Sequence, residues 1–279
     1  TNPTGHGGPT RPFATLDKLA SVAAASNVVV LDSGYYSNSI ALPNSGRIIG
    51  DGNVIIGTAT SGAVLYAFNL TVVSSNLLNN RGFATDCKIY YCTINKRDNF
   101  IDSNNLYVEC TFTQTVDLYS KFENCSFIRC TGSIAMSGGI SGNRVNNVFI
   151  TCQDLNLILN AVRPIGIITD YSIIIGTVKT SVPINGKTTG VTVEDFKADG
   201  QYFIKSYSEV DLFGNASGSG ASVPQLNEIF NNFYYPYIDD YHNLDLTLRP
   251  DCDERVRFGG LNGTYIGALP VGYRLSASE

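Results

Sequence analysis

The sequence predicts an all-β solenoid, and three observations carry that prediction. Cys92, Cys110, Cys130 and Cys152 follow one another at intervals of 18, 20 and 22 residues. The interval from Cys87 to Cys125 equals that from Cys92 to Cys130. Short β-branched and aromatic segments recur with the same drifting period, divided by polar turns, which is the pattern of a repeat whose units bury themselves only by stacking.

Four segments align in register: Cys87 to Cys92, Asn105 to Cys110, Cys125 to Cys130, and Asn147 to Cys152. The third column holds Ile89, Tyr107, Phe127 and Phe149, and the fourth Tyr90, Val108, Ile128 and Ile150. Coils stacked at ~4.8 Å set like above like. Each buried ring or aliphatic chain contributes about 1.5–3 kcal/mol, so Cys92, Cys110, Cys130, Cys152, Phe127 and Phe149 are expected as an interior stack. Cysteine serves there as a small hydrophobe, with disulfides between neighbouring coils as the alternative. Asn53-Val54-Ile55-Ile56, Ser172-Ile173-Ile174-Ile175 and Val191-Thr192-Val193 read as further coil strands. The period leaves room for roughly eight or nine coils.

A solenoid has two exposed ends that need covering. Thr15 to Ala24 reads as an amphipathic helix with Thr15 as N-cap and Leu16, Leu19, Ala20 and Ala23 on one face. Past the Gly/Ser-rich stretch from Gly214 to Ala221, a short helix is expected over Pro224 to Phe230, followed by an aromatic-rich tail. The expected division is an N-terminal cap over 1–27, β-helix coils over 28–205 and a C-terminal capping region over 206–279.

Composition narrows the function. The chain has 279 residues, 43% apolar and 15% charged, with a formal net charge of −5. It is too apolar for disorder and has the wrong sign for a binder of nucleic acid. Its apolar runs are too short for membrane insertion. No Cys-x-x-Cys pair occurs, and His6 and His242 lie far from the cysteines, so no metal site is expected. The chain opens on Thr1 and its single methionine is Met136, which suggests a processed product or a piece of a longer chain.

Pro12-Phe13-Ala14-Thr15-Leu16, Val28 to Tyr36, Ile48 to Gly52 followed by Val54-Ile55-Ile56, and the tail motifs Leu244 to Pro250 and Gly263 to Ala268 carry a family likeness. Together they resemble right-handed parallel β-helix proteins of the pectate-lyase-like superfamily across nearly the whole chain. The resemblance implies a right-handed parallel β-helix. It leaves function open, because that superfamily holds lyases, hydrolases, adhesins and phage tailspikes or tail fibres. A homotrimer is compatible with the phage type. Ca²⁺ is implied only under a lyase reading, and no cofactor is expected otherwise.

Asp86, Asp98, Asp102, Glu109, Asp117 and Glu123 are scattered through the repeat without a stacked carboxylate column. The nearest constellation is the fifth column: Tyr91, Glu109, Arg129 and Thr151. Tyr91, Glu109 and Arg129 are candidate carbohydrate-binding residues, although a cross-strand ion pair worth under about 1 kcal/mol is the favoured role of Glu109 and Arg129. Because two neighbouring columns are apolar, alternation is expected to break there at a bend. Arg163-Pro164, Asp51-Gly52, the Asp239 to Asp245 cluster and the rings from Phe230 to Tyr241 read as chance, turn or packing features. No catalytic residue is assigned. The expectation is a non-catalytic structural or adhesin module of a virion (phage tail or fibre) or cell surface, presenting a polar, Asn/Ser/Thr/Tyr-rich side wall to glycans or neighbouring proteins. A polysaccharide lyase or glycoside hydrolase is the alternative.

Overall fold

The computed structural model describes residues 28–36, 47–57, 66–74, 76–80, 84–96, 101–113, 121–135, 146–159, 171–199, 206–214, 223–232 and 245–268. Within them the chain winds as a β-solenoid of parallel strands. β1 (Val28–Tyr36) pairs with β2 (Arg47–Gly57). β2 runs through the Asp51-Gly52 corner, joining β3 (Tyr66–Phe68) by its first half and β4 (Thr71–Val73) by its second. From there the strands form three walls. The first stacks β3, β6 (Ala84–Thr85), β9 (Ile101–Ser103) and β12 (Lys121–Glu123). The second stacks β4, β7 (Lys88–Tyr90), β10 (Leu106–Val108), β13 (Ser126–Ile128), β15 (Val148–Ile150), β17 (Ser172–Ile175) and β19 (Ser206–Ser208). The third stacks β5 (Asn76–Asn80), β8 (Thr93–Lys96), β11 (Thr111–Thr113), β14 (Thr131–Ala135), β16 (Leu155–Ile158) and β18 (Lys179–Thr180).

Single left-handed residues make the corners. Asn69, Asp86, Asn104 and Asn124 turn the chain from first to second wall, and Asn146 and Tyr171 take the same conformation just before β15 and β17, with φ from 51° to 61°. Asn and Asp tolerate this region better than other side chains. Ser74, Tyr91, Glu109, Arg129 and Thr151 turn it from second to third wall at φ near 50°, followed by Gly176 at 84°. A left-handed residue with a Cβ costs about 1–2 kcal/mol, yet the ladder continues across the corner. Tyr91 N–H donates to the Val108 carbonyl, Glu109 N–H to Ile128 and Arg129 N–H to Ile150.

The interior is a column of like residues. Tyr107 and Phe127 stack at 5.1 Å, and Phe127 and Phe149 at 4.9 Å, with planes within 12°. Phe112 and Phe122 close on them at steeper angles. All seven cysteines are buried and none is in a disulfide. Cys92, Cys110, Cys130 and Cys152 each donate an S–H to a backbone carbonyl of the preceding coil. Asn105 and Asn147 sit inside too, where each side-chain oxygen accepts the N–H of a cysteine one coil earlier, Cys87 and Cys125 respectively.

The bend expected within the repeat frame lies at its fifth column, Tyr91, Glu109, Arg129 and Thr151. Ile89, Tyr107, Phe127 and Phe149 face inward, while Tyr90, Val108, Ile128 and Ile150 face outward into a second apolar cluster. Alternation holds over these two columns and breaks at the bend one residue later, after which the cysteines face inward again. The outward column stays apolar because the C-terminal segment packs on it with Leu226, Ile229, Phe230, Leu248, Val256, Tyr265, Ile266 and Ala268. That segment comprises the helix Val223–Leu226, the antiparallel pair β20 (Phe230–Asn232) and β21 (Asp245–Leu248), and the helix Glu254–Phe258. It is pinned by Gly267 N–H to the Asn146 carbonyl and Ala268 N–H to Ser126 Oγ.

Val191-Thr192-Val193 is not a coil strand. Val191 makes one antiparallel bridge with Val178, and helix α1 (Val193–Asp199) follows at once. Val193 and Phe196 join the interior cluster. The expected helix over 15–24 lies outside the described residues.

Candidate functional site

The outward surface of the third wall and the corner before it form the most regular polar feature among the described residues. In β8, β11 and β14 the inward positions go to Ile94, Phe112 and Ile134, so the alternate residues point to solvent. Register then builds two columns. Thr93, Thr111 and Thr131 lie side by side, and Thr113, Ser133, Asn156 and Lys179 form the second. Thr111 and Thr131 share a hydroxyl hydrogen bond of 3.2 Å, and Asn156 Nδ2 donates to Ser133 Oγ at 3.4 Å. Thr111 and Thr113 are exposed and the rest half-buried. Lys179, at one end of the second column, is paired with Asp154 at 2.8 Å.

Tyr91, Glu109 and Arg129 stand on the corner two residues before Thr93, Thr111 and Thr131. Glu109 and Arg129 form an ion pair between adjacent coils, their side chains 30% and 29% exposed. Tyr91 is half-buried, its ring 6.3 Å from that of Tyr90. The corner therefore sets a ring and a paired charge at the margin of a hydroxyl-lined wall. Sequence reasoning found the corner residues and expected a polar side wall, but did not name the wall's residues. The signal available for it was the Thr that follows each of Cys92, Cys110 and Cys130.

The remaining ionisable groups divide by location. Asp102 is buried within the coil and accepts the Tyr107 hydroxyl at 2.8 Å. Burial, with Asp102 adding to it, pushes the Tyr107 phenol well above its usual range. Burial likewise pushes the Cys87 and Cys252 thiols up to about 12, which leaves them protonated and inert. Asp86 accepts from Asn104 Nδ2 at the other corner. Asp32 and Asp51 are exposed register partners on β1 and β2, a stacked carboxylate pair outside the cysteine repeat that the sequence reading did not include. Asp98, Asp117, Arg163, His6, His242 and Asp239 lie outside the described residues. Among the described residues no group of three or more His, Cys, Asp or Glu side chains could hold a metal ion. No described helix is long and apolar enough to cross a membrane.

No family model matches the chain, and no curated protein matches it. Among solved structures it is similar to a crystal structure of a pectin methylesterase mutant in complex with hexasaccharide IV, at 12% identity over 87% of this chain and 97% of that chain. The TM-score is 0.25, a likeness too loose to inform the chemistry of this wall.

Proposed function

We propose that the chain is a non-catalytic β-helical module of a virion, as in a phage tail or fibre, or of a cell surface, and that it presents its polar third wall to glycans or protein partners. The observation that carries this reading is the pair of in-register outward columns, Thr93-Thr111-Thr131 and Thr113-Ser133-Asn156. Hydroxyl and amide groups at fixed spacing offer donors and acceptors in alternation, the chemistry that recognises polyhydroxylated surfaces. The Glu109–Arg129 pair is a cross-strand ion pair whose charges answer each other. The proposed module works outside the cell and needs no cofactor.

The test is retention on immobilised surface polysaccharides and on neighbouring virion or surface proteins, alongside an assay for new reducing ends and unsaturated uronates with and without Ca²⁺. Retention without product formation is expected, and the Glu109→Ala/Arg129→Ala double variant should bind nearly as the parent does. New products would overturn the non-catalytic reading. The stacked Asp32 and Asp51 favour one second reading, a glycoside hydrolase with paired carboxylates. Under it, reducing ends appear and vanish in Asp32→Asn or Asp51→Asn.

A further inference from the structure

We infer that the ligand of the third wall is a neutral, linear polysaccharide lying along the solenoid axis, one sugar unit per coil. The inference rests on the glycan reading above and adds to it a charge class, a direction and a length. Direction follows from register: Thr111 is the partner of both Thr93 and Thr131, and Ser133 of both Thr113 and Asn156. Equivalent groups therefore repeat along the stack at the parallel-strand spacing of ~4.8 Å, close to the length one pyranose unit spans in an extended β-linked chain. Across the stack, Thr111 and Thr113 stand ~6.6 Å apart along one strand, the breadth of a sugar ring. A chain running along the axis meets both columns at β11 and β14 and one of them at β8 and β16, whereas a chain running across it leaves the columns within one unit.

Charge class follows from composition. Thr93, Thr111, Thr113, Thr131, Ser133 and Asn156 carry no charge. The nearest charges among the described side chains are paired, Glu109 with Arg129 and Lys179 with Asp154. Among the described side chains, these columns offer an acidic polymer no uncommitted cation. Length follows from the two columns, whose residues run over four strands, from Thr93 on β8 through β11 and β14 to Asn156 on β16.

The experiment is calorimetric titration of the intact chain with linear neutral β-linked gluco- and manno-oligosaccharides of two to six units, with oligogalacturonates as the charged comparator. Affinity for the neutral series should rise about fivefold per added sugar, level off near about four units, and change little with salt. Thr113→Val, which keeps shape and strand propensity, and Ser133→Ala should each weaken the longest oligomer about fivefold or more while remaining folded, although each gives up one hydroxyl hydrogen bond. Length-independent binding, or tighter binding of the acidic series that salt abolishes, overturns this inference. So does retention of full affinity in both folded variants. In each of those cases the glycan reading itself survives. If no saccharide of either series binds while a protein partner does, the inference and the glycan reading fall together.

Discussion

At Gly132 the chain takes φ 85°, and a Cβ built there would lie 1.9 Å from the Phe112 carbonyl oxygen of the coil beneath. Only glycine fits. Gly132→Ala is expected to lower stability by at least about 2 kcal/mol, through strain and the displaced ladder; denaturant unfolding reads it as a lower midpoint. Phe127 sits between Tyr107 and Phe149 in the ring column. Phe127→Ala should cost about 3–5 kcal/mol, measured the same way. These residues also show what was readable in advance. The cysteine and ring columns were legible because stacking sets like above like, which leaves a period in the sequence. The orientation of Glu109 was not, because a left-handed corner made by Glu, Arg or Thr carries no Gly or Asn turn signal.

At the scale of an element, α1 shows local hydrogen bonding overriding strand propensity. Val191-Thr192-Val193 is β-branched, but Thr192 Oγ1 accepts the Asp195 N–H while Asp195 Oδ2 accepts the Thr192 N–H, a reciprocal cap. Ser208 and Asp211 repeat it at the helix α2 (Glu209–Phe213), and Lys197 bridges Glu194 and Asp211 to tie the two helices. The signal was in the sequence as Thr-x-x-Asp and Ser-x-x-Asp, hidden under a run of strand formers. Burial alone would raise the Asp195 carboxyl, but Lys187, the Thr192 N–H and Asn185 outweigh it and hold it at about 2. Its folded value lies below the unfolded one, so its contribution is full above the unfolded carboxylate range near ~3.9 and is lost as pH falls through about 2. Asp195→Asn should therefore lose on the order of 2 kcal/mol at neutral pH. That deficit should shrink as pH drops from about 4 towards 2, in denaturant titrations run across pH.

For the molecule as a whole, the second wall is apolar on both sides. Its inner side faces the ring and thiol column, and its outer side takes the C-terminal segment. This double burial, like that of a parallel sheet covered on both faces, is why two adjacent columns were apolar in the sequence. Which segment covered the outer one left no periodic trace. Ile266 is fully buried there, and its N–H donates to the Val256 carbonyl. Ile266→Asp should release the segment, seen as faster proteolysis after the coils and a lower melting temperature, since an unpaired buried charge is costly. Unchanged proteolysis would show the segment to be held by other means.

The most direct measurement is an experimental density map that traces Cys92, Cys110, Cys130 and Cys152. The account predicts four reduced sulfurs in one line inside the coil, successive strands ~4.8 Å apart, with Thr93, Thr111 and Thr131 in line on the outside. Sulfurs divided between facing sheets, exposed to solvent, or joined in disulfides would contradict it.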